Sequence, residues 1–276
     1  MKTGLYIVAT PIGNLGDISL RAMDTLKQSD IIACEDTRVT KKLFSLLGLP
    51  LQKTFIPLHD HNEEKESQKI INFVKEGKSV ALVSDAGSPL ISDPGYKLIK
   101  KAKAEKIYIS SIPGSCAVIA ALQLSGLPTN RFMFAGFIPN KDKARKDLFK
   151  ELKDINTTLV FYETAPRILK TLETAKEIFP KREASIAREI TKMYEECITD
   201  SFENLIKYFS SKEPKGEMVL MIAPPMEKET VDIEKLLKKK LKTLSLKDTV
   251  KEVVEESGTN KNEVYNLALK LKNEKL

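Results

Sequence analysis

The sequence has few of the residues that make metal centres and disulfide frameworks: three cysteines and two histidines in 276 residues. Cys34, Cys116 and Cys197 are far apart and odd in number, so they give neither a disulfide framework nor a CxxC metal knuckle. A reducing cytoplasm is the expected compartment. His59 and His61 share a stretch with Asp60 and Glu63 that could begin a metal site, but no third histidine and no spaced carboxylate motif completes one, so no metal is expected. No apolar run reaches about 18 residues, and Met1-Lys2-Thr3-Gly4 leads directly into a strand pattern rather than a signal peptide. Neither secretion nor membrane insertion is predicted. Solenoid repeats and long low-complexity tracts are also missing, as is the GxGxxG fingerprint of a dinucleotide site.

What remains describes a globular protein with an apolar content of 42%, long enough for about two domains by the usual length prior. Forty-five basic residues against 38 acidic ones leave a formal charge of +7. That excess fits a polyanionic partner such as RNA, through phosphate attraction and counterion release, and fits a lysine-rich solubilising surface equally well.

Short β-branched runs alternate with helical patterns, the sequence form of an α/β protein whose mostly parallel sheet is covered by helices on both faces. Strands are predicted over 5–9, 31–34, 54–58, 80–83 and 107–109, with helices between them and a helix over 116–124. Ser125-Gly126-Leu127-Pro128-Thr129-Asn130 is a cluster of turn residues that divides the chain into a first α/β domain over 1–125 and a second over 126–225. The second has strand patterns at 132–136, 158–162, 183–187 and 218–223 and helical patterns at 142–152 and 165–178. After Pro224-Pro225, residues 226–276 read as a small helical domain with helices over 231–241, 246–257 and 262–271. The last two, joined by Gly258-Thr259-Asn260, have the length and turn chemistry of a helix-turn-helix, a pattern shared by generic amphipathic helices.

The chemistry is concentrated where strands end. Ser79-Val80-Ala81-Leu82-Val83 runs into Ser84-Asp85-Ala86-Gly87-Ser88-Pro89-Leu90-Ile91-Ser92-Asp93-Pro94-Gly95, which places a carboxylate, glycines and exposed amides at a carboxyl sheet edge, where open α/β sheets hold ligands. The first strand ends in Thr10-Pro11-Ile12-Gly13-Asn14, where Gly13 permits close backbone approach or positive φ. Glu35-Asp36-Thr37-Arg38 puts three charges in four positions, of which a helix N-cap explains one. His59-Asp60-His61-Asn62-Glu63 reads as a polar loop facing substrate. Pro113-Gly114-Ser115-Cys116 precedes a helix of small residues whose free amides can bond a carboxylate or a ribose hydroxyl. Cys116 has no cationic neighbour in sequence and reads as a small buried thiol rather than a nucleophile. Phe161-Tyr162-Glu163 with Arg167, Ala187-Arg188-Glu189 and Lys215-Gly216-Glu217-Met218 are further strand junctions with polar mouths.

In this order the loops resemble those of the ribosomal-RNA branch of the tetrapyrrole methylase superfamily, over nearly the whole chain. The resemblance implies two α/β domains with S-adenosyl-L-methionine folded in the cleft between them, a homodimer, and a small helical carboxyl-terminal domain. It implies 2′-O-methylation of a cytidine, conventionally 1402, in 16S ribosomal RNA of the small ribosomal subunit. Carried over by position, Ile12, Asp85, Gly87, Ser88, Ser115, Cys116, Tyr162, Ala187 and Met218 are the expected cofactor contacts. Thr10-Pro11-Ile12-Gly13 and Ser84-Asp85-Ala86 depart from the glycine-richer and Gly-Asp-Pro forms of tetrapyrrole-modifying members, which argues against a tetrapyrrole substrate. Displacement at a sulfonium methyl by a ribose hydroxyl asks the protein to align three atoms and remove one proton. Glu35, Asp36, His61 and Asn62 are the candidates for that task, with Arg38 and Arg167 on RNA phosphates. Two rival readings are a tetrapyrrole C-methyltransferase and a non-catalytic ribosome assembly factor.

Overall fold

A computed structural model describes the chain except residues 60, 213, 226–232, 258 and 274–276. Two compact units divide it, 1–225 and 226–276. In the first half of the larger unit, strands β1 (Gly4–Val8), β2 (Ile31–Cys34), β3 (Thr54–Pro57), β4 (Ser79–Val83) and β5 (Ile109–Ile112) alternate with helices α1 (Leu20–Gln28), α2 (Thr37–Leu46), α3 (Glu63–Lys75), α4 (Tyr96–Ala104) and α5 (Ala117–Ser125). The five strands form a fully parallel sheet in the order β3-β2-β4-β1-β5.

The period of two in the strands explains the layering. On β2 and β4, Ile31, Ala33, Val80 and Leu82 face α3 and α4, while Ile32, Cys34, Ala81 and Val83 face α1 and α2. Both faces are therefore apolar, as a parallel sheet requires. The fifth strand begins later than its sequence pattern predicts. The amide of Ile107 bonds the Ala102 carbonyl at 3.0 Å and Lys106 adopts φ 55°, so both residues are consumed in closing α4.

The second half holds β6 (Phe132–Phe137), α6 (Asp142–Leu152), β7 (Thr158–Thr164), α7 (Ile168–Ile178), β8 (Ala184–Arg188), β9 (Glu196–Asp200), α8 (Phe202–Ser210) and β10 (Glu217–Ile222). Its sheet runs β6-β7-β10-β8-β9. The expectation of a mostly parallel sheet fails here, since only β6 and β7 pair in parallel. The loop between β8 and β9 is too short for a crossover, which takes a dozen or more residues, so these strands form a hairpin. Strand β9 has no counterpart in the sequence reading: Glu196-Cys197-Ile198-Thr199-Asp200 is a half-exposed edge with little apolar signal.

Phe149, Phe161, Phe202 and Phe209 fill one face of this sheet beneath α6, α7 and α8. The other face is covered by α5, whose Val118, Ala121 and Leu122 pack on Val160, Ala187, Val219 and Met221. At roughly 1.5–3 kcal/mol per large buried aliphatic side chain, this contact fastens the two sheets together. By packing, α5 goes with the second sheet, although it precedes the turn cluster at 125–130.

The smaller unit contains α9 (Ile233–Lys240), α10 (Leu246–Ser257) and α11 (Lys261–Asn273) around Leu237, Val250, Val253, Val264, Ala268 and Leu271. Lys240 ties α9 to Glu252 and Glu256 of α10. Residues 231 and 232, expected in the first of these helices, and Gly258 of the expected turn lie outside the described residues.

Fully buried Glu163 on β7 accepts from Thr171 Oγ1 at 2.6 Å and from the Thr164 amide at 2.7 Å, and pairs with Arg167 at 2.7 Å. Replacing Glu163 with Ala strands a largely buried guanidinium. The expected loss is about 3 kcal/mol, the low end for a broken buried pair because Arg167 keeps some solvent contact. Thermal unfolding should show a midpoint lower by roughly 10 °C, with a smaller drop for Glu163→Gln.

Candidate functional site

The carboxyl edge of the first sheet faces the second sheet across a cleft of about 350 Å³, within the range of small-molecule sites. One wall is the loop after β4. Its geometry is fixed by an isolated bridge in which Thr10 N donates to Gly87 O at 2.8 Å and Gly87 N donates to Thr10 O at 3.1 Å. Gly87 has φ 80°, and a Cβ there would meet Ile12 Cγ2 at 3.1 Å, so glycine is required. Ser88 Oγ donates to the Ser115 carbonyl at 3.0 Å, joining this loop to the start of α5. At its far end, buried Glu63 accepts from the amides of Gly95 and Lys97 at 3.0 and 2.7 Å, a carboxylate at the positive end of α4.

The opposite wall comes from the second sheet: Phe137, Tyr162, Ala187, Met218 and Val219, with Glu189, Ile190 and Lys192 beyond β8. The loop after β8 packs directly on the loop after β1. A Cβ on Gly13 would lie 2.7 Å from Lys192 Cγ and 2.8 Å from Thr191 Oγ1. The close approach expected of Gly13 is thus to the protein's own chain. Leu90, Ser92, Glu189 and Thr191 all have left-handed φ, between 50° and 71°. Strain of about 1 kcal/mol or more at each is concentrated in the two loops that line the cleft.

The lining is acidic. Glu35, Asp85, Asp93, Glu189 and Glu217 contribute carboxylates against the single ammonium of Lys192, which is paired with Glu189 at 2.9 Å. Burial pushes the Asp93 carboxyl up to about 6; a hydrogen bond from Ser84 opposes this, and the charges of Glu35, Asp85 and Glu217 add to it. Asp85 is also raised by burial, opposed by a 3.0 Å bond from the Asp36 amide. For both groups the folded state favours the protonated form, so stability they contribute at acid pH is lost as pH rises, for Asp93 through about 6. Burial likewise holds the Tyr162 phenol above its ordinary range, keeping it neutral, with its ring edge-packed by Phe134 and Phe137 at 4.8 and 5.2 Å.

Of the cofactor contacts expected from sequence, Ile12, Asp85, Gly87, Ser88, Cys116, Tyr162, Ala187 and Met218 are brought together in this lining, and Ser115 stands behind Ser88. Cys116 is only half buried: it stands at the N-cap position of α5, where it lines the cleft while packing against the core between α5 and the second sheet. Among the expected catalytic residues, Glu35 lines the cleft and the other three do not. Asp36 caps α2 and forks onto Arg38 at 2.6 Å, which holds its carboxyl down at about 2. His61 is exposed. Asn62 spends both ends of its amide inside its own loop, accepting from His59 N and donating to Pro57 O, each at 2.9 Å. Asp60 lies outside the described residues. Arg167 is turned inward onto Glu163 and the Ile138 carbonyl, whereas the Arg38 side chain is 89% exposed. The sequence places Asp93 and Glu217 in candidate loops without giving either a role, and gives no sign of Phe137. Asp93 belongs to the 84–95 stretch that the sequence marks as a ligand loop, and only the fold shows that its side chain lines the cleft beside Asp85.

Residues 4–206 match the family Tetrapyrrole (Corrin/Porphyrin) Methylases, and residues 227–272 match the RsmI C-terminal HTH domain. The chain is 42% identical to a protein named ribosomal RNA small subunit methyltransferase I from Rickettsia prowazekii, over 99% of this chain and 98% of that one. It is 47% identical to the protein of the same name from Erythrobacter litoralis, over 99% and 96%. Among solved structures, diphthine synthase superposes with a TM-score of 0.63 at 18% identity, covering 79% of this chain and 89% of that one. A uroporphyrin-III C-methyl transferase from Thermus thermophilus, complexed with S-adenyl homocysteine, superposes at 0.55 with 14% identity, covering 80% and 97%. The parallel sheet, the mixed sheet and the cleft between them are thus a shared fold, and the chain belongs to the tetrapyrrole methylase family, among the proteins called ribosomal RNA small subunit methyltransferase I.

Proposed function

We propose that the protein transfers a methyl group from S-adenosylmethionine to a ribose 2′-hydroxyl of a cytidine in 16S ribosomal RNA, the nucleotide conventionally numbered 1402. The observation that carries this reading is the acidic, partly apolar cleft. Its carboxylates suit a cationic ligand, and Ile12, Tyr162, Phe137 and Val219 supply apolar and aromatic surface for a nucleoside. The close approach at Gly87 leaves backbone where a side chain would otherwise fill the space. These residues fit the cofactor.

S-adenosylmethionine supplies a methyl group already activated by positive charge on sulfur. What remains for the chain is to align donor and acceptor and to remove one proton. Glu35 and Asp93 are the acidic groups that orient the cation and accept that proton, and the raised Asp93 carboxyl lies close enough to neutrality to exchange it. Asp85 holds the Asp36 amide and so fixes the start of α2, from which Arg38 reaches solvent to meet a phosphate. The names of the relatives point to the small subunit as substrate, and the cytoplasm, where ribosomes are made, is the corresponding place of work. Two copies of the chain belong to the same reading. It is supported by β6, an edge strand of the second sheet that exposes Phe132 and Met133.

Incubation with 30S particles and methyl-labelled donor should place label on a single cytidine ribose; label on a tetrapyrrole, or none on RNA, refutes the assignment. Glu35→Gln and Asp93→Asn should each reduce methyl transfer more than tenfold. His61→Ala should leave it within about twofold, because His61 is exposed and does not line the cleft. Single-turnover kinetics on the same particles checks both.

A further inference from the structure

We propose that the exposed face of α4, carrying Tyr96, Lys97, Lys100 and Lys103, is the track on which the RNA strand flanking the methylated nucleotide lies. The proposal rests on the RNA-methylation reading and adds a binding surface to it. Carboxylates inside the cleft favour a cation and repel phosphates, so the RNA backbone needs a basic surface outside the cleft but close to its rim.

Helix α4 meets that requirement by position. Ile91, Ser92 and Asp93 line the cleft, and the helix begins three residues beyond Asp93. Its sequence, Tyr96-Lys97-Leu98-Ile99-Lys100-Lys101-Ala102-Lys103-Ala104, holds four lysines and no acid. Leu98 and Ala102 are buried, which turns Tyr96, Lys97, Lys100 and Lys103 to solvent. Tyr96, Lys100 and Lys103 fall at i, i+4 and i+7 on one stripe, about 10 Å long at 1.5 Å per residue, with Lys97 beside it.

The helix dipole favours Lys103 in the last turn but accounts for neither Lys97 nor Lys100. Lys101 is taken by Glu64 of α3 at 3.3 Å, but Lys97, Lys100 and Lys103 form no ion pair with any described residue. Lys97 stands in the first turn, where the helix dipole disfavours a cation. Tyr96, 68% exposed, is a large aromatic surface at the cleft end of the stripe. An unstacked base beside a basic track is what such a ring serves in single-strand recognition.

The test compares three variants with the parent chain on 30S particles: Lys97→Gln/Lys100→Gln/Lys103→Gln, Tyr96→Ala, and a control on α6, Lys141→Gln/Lys143→Gln/Lys150→Gln. For the α4 triple variant, log kcat/KM against log salt should flatten by about 2 in slope, from three contacts at about 0.7 each. Its affinity for S-adenosylmethionine by calorimetry should be unchanged. Tyr96→Ala should raise KM for the particle about tenfold with kcat little altered, and the α6 control should match the parent. An unchanged salt slope in the α4 variant, or an equal change in the control, overturns the proposal, as does a parallel loss of cofactor affinity, which would make the face structural. If the parent chain itself transfers no methyl group to RNA, the underlying reading fails instead.

Discussion

The structure depends on carboxylates kept together where they repel one another. Glu35, Asp85, Asp93 and Glu217 come from the ends of three strands, β2, β4 and β10, and face one small cleft, and the cost appears as carboxyls held above their ordinary range at Asp93 and Asp85. Partial burial and mutual repulsion both destabilise the charged forms, and a bound cation relieves both. The surrounding architecture keeps that arrangement from relaxing. The Thr10 and Gly87 bridge, the bond from Ser88 to Ser115, and Glu63 at the head of α4 fix the loop after β4 at three points, while Gly13 lets the loop after β8 pack against the loop after β1.

Much of this was legible in the sequence, for identifiable reasons. Strands β1, β2 and β4 of the first sheet are buried on both faces, so each shows a short apolar run followed by polar residues, and the site follows from where those runs stop. Asp85 and Gly87, which line the cleft, follow the end of β4 in this way. The second sheet was harder to read because pairing direction is set by connection length and not by strand composition, and because β9 is a polar edge. His61 and Asn62 stand in a polar strand-end loop like the others, but they do not line the cleft, and the fold uses Asn62 to shape its own loop. Asp93 was in view as part of the loop after β4, but its burial among other carboxylates depends on chain segments far apart in sequence and shows only in the fold.

Charge is divided within the larger unit. The cleft is negative, and the α4 face at its rim is positive without internal pairing, so a net charge of +7 conceals two opposite fields. A small cation and a polyanion can then be bound by one unit without competing for the same groups. The helical unit over 226–276, matched to an HTH domain, has its own apolar core and adds further lysines to the chain.

A cleft built around a cation must change its protonation when the cation arrives. Calorimetry of S-adenosylmethionine binding near pH 6, in buffers of different ionisation enthalpy, measures that change directly. A fraction of a proton should be released on binding, because the cation favours the ionised form of Asp93, and the release should vanish in Asp93→Asn. Binding with no release, or with proton uptake, contradicts the central claim.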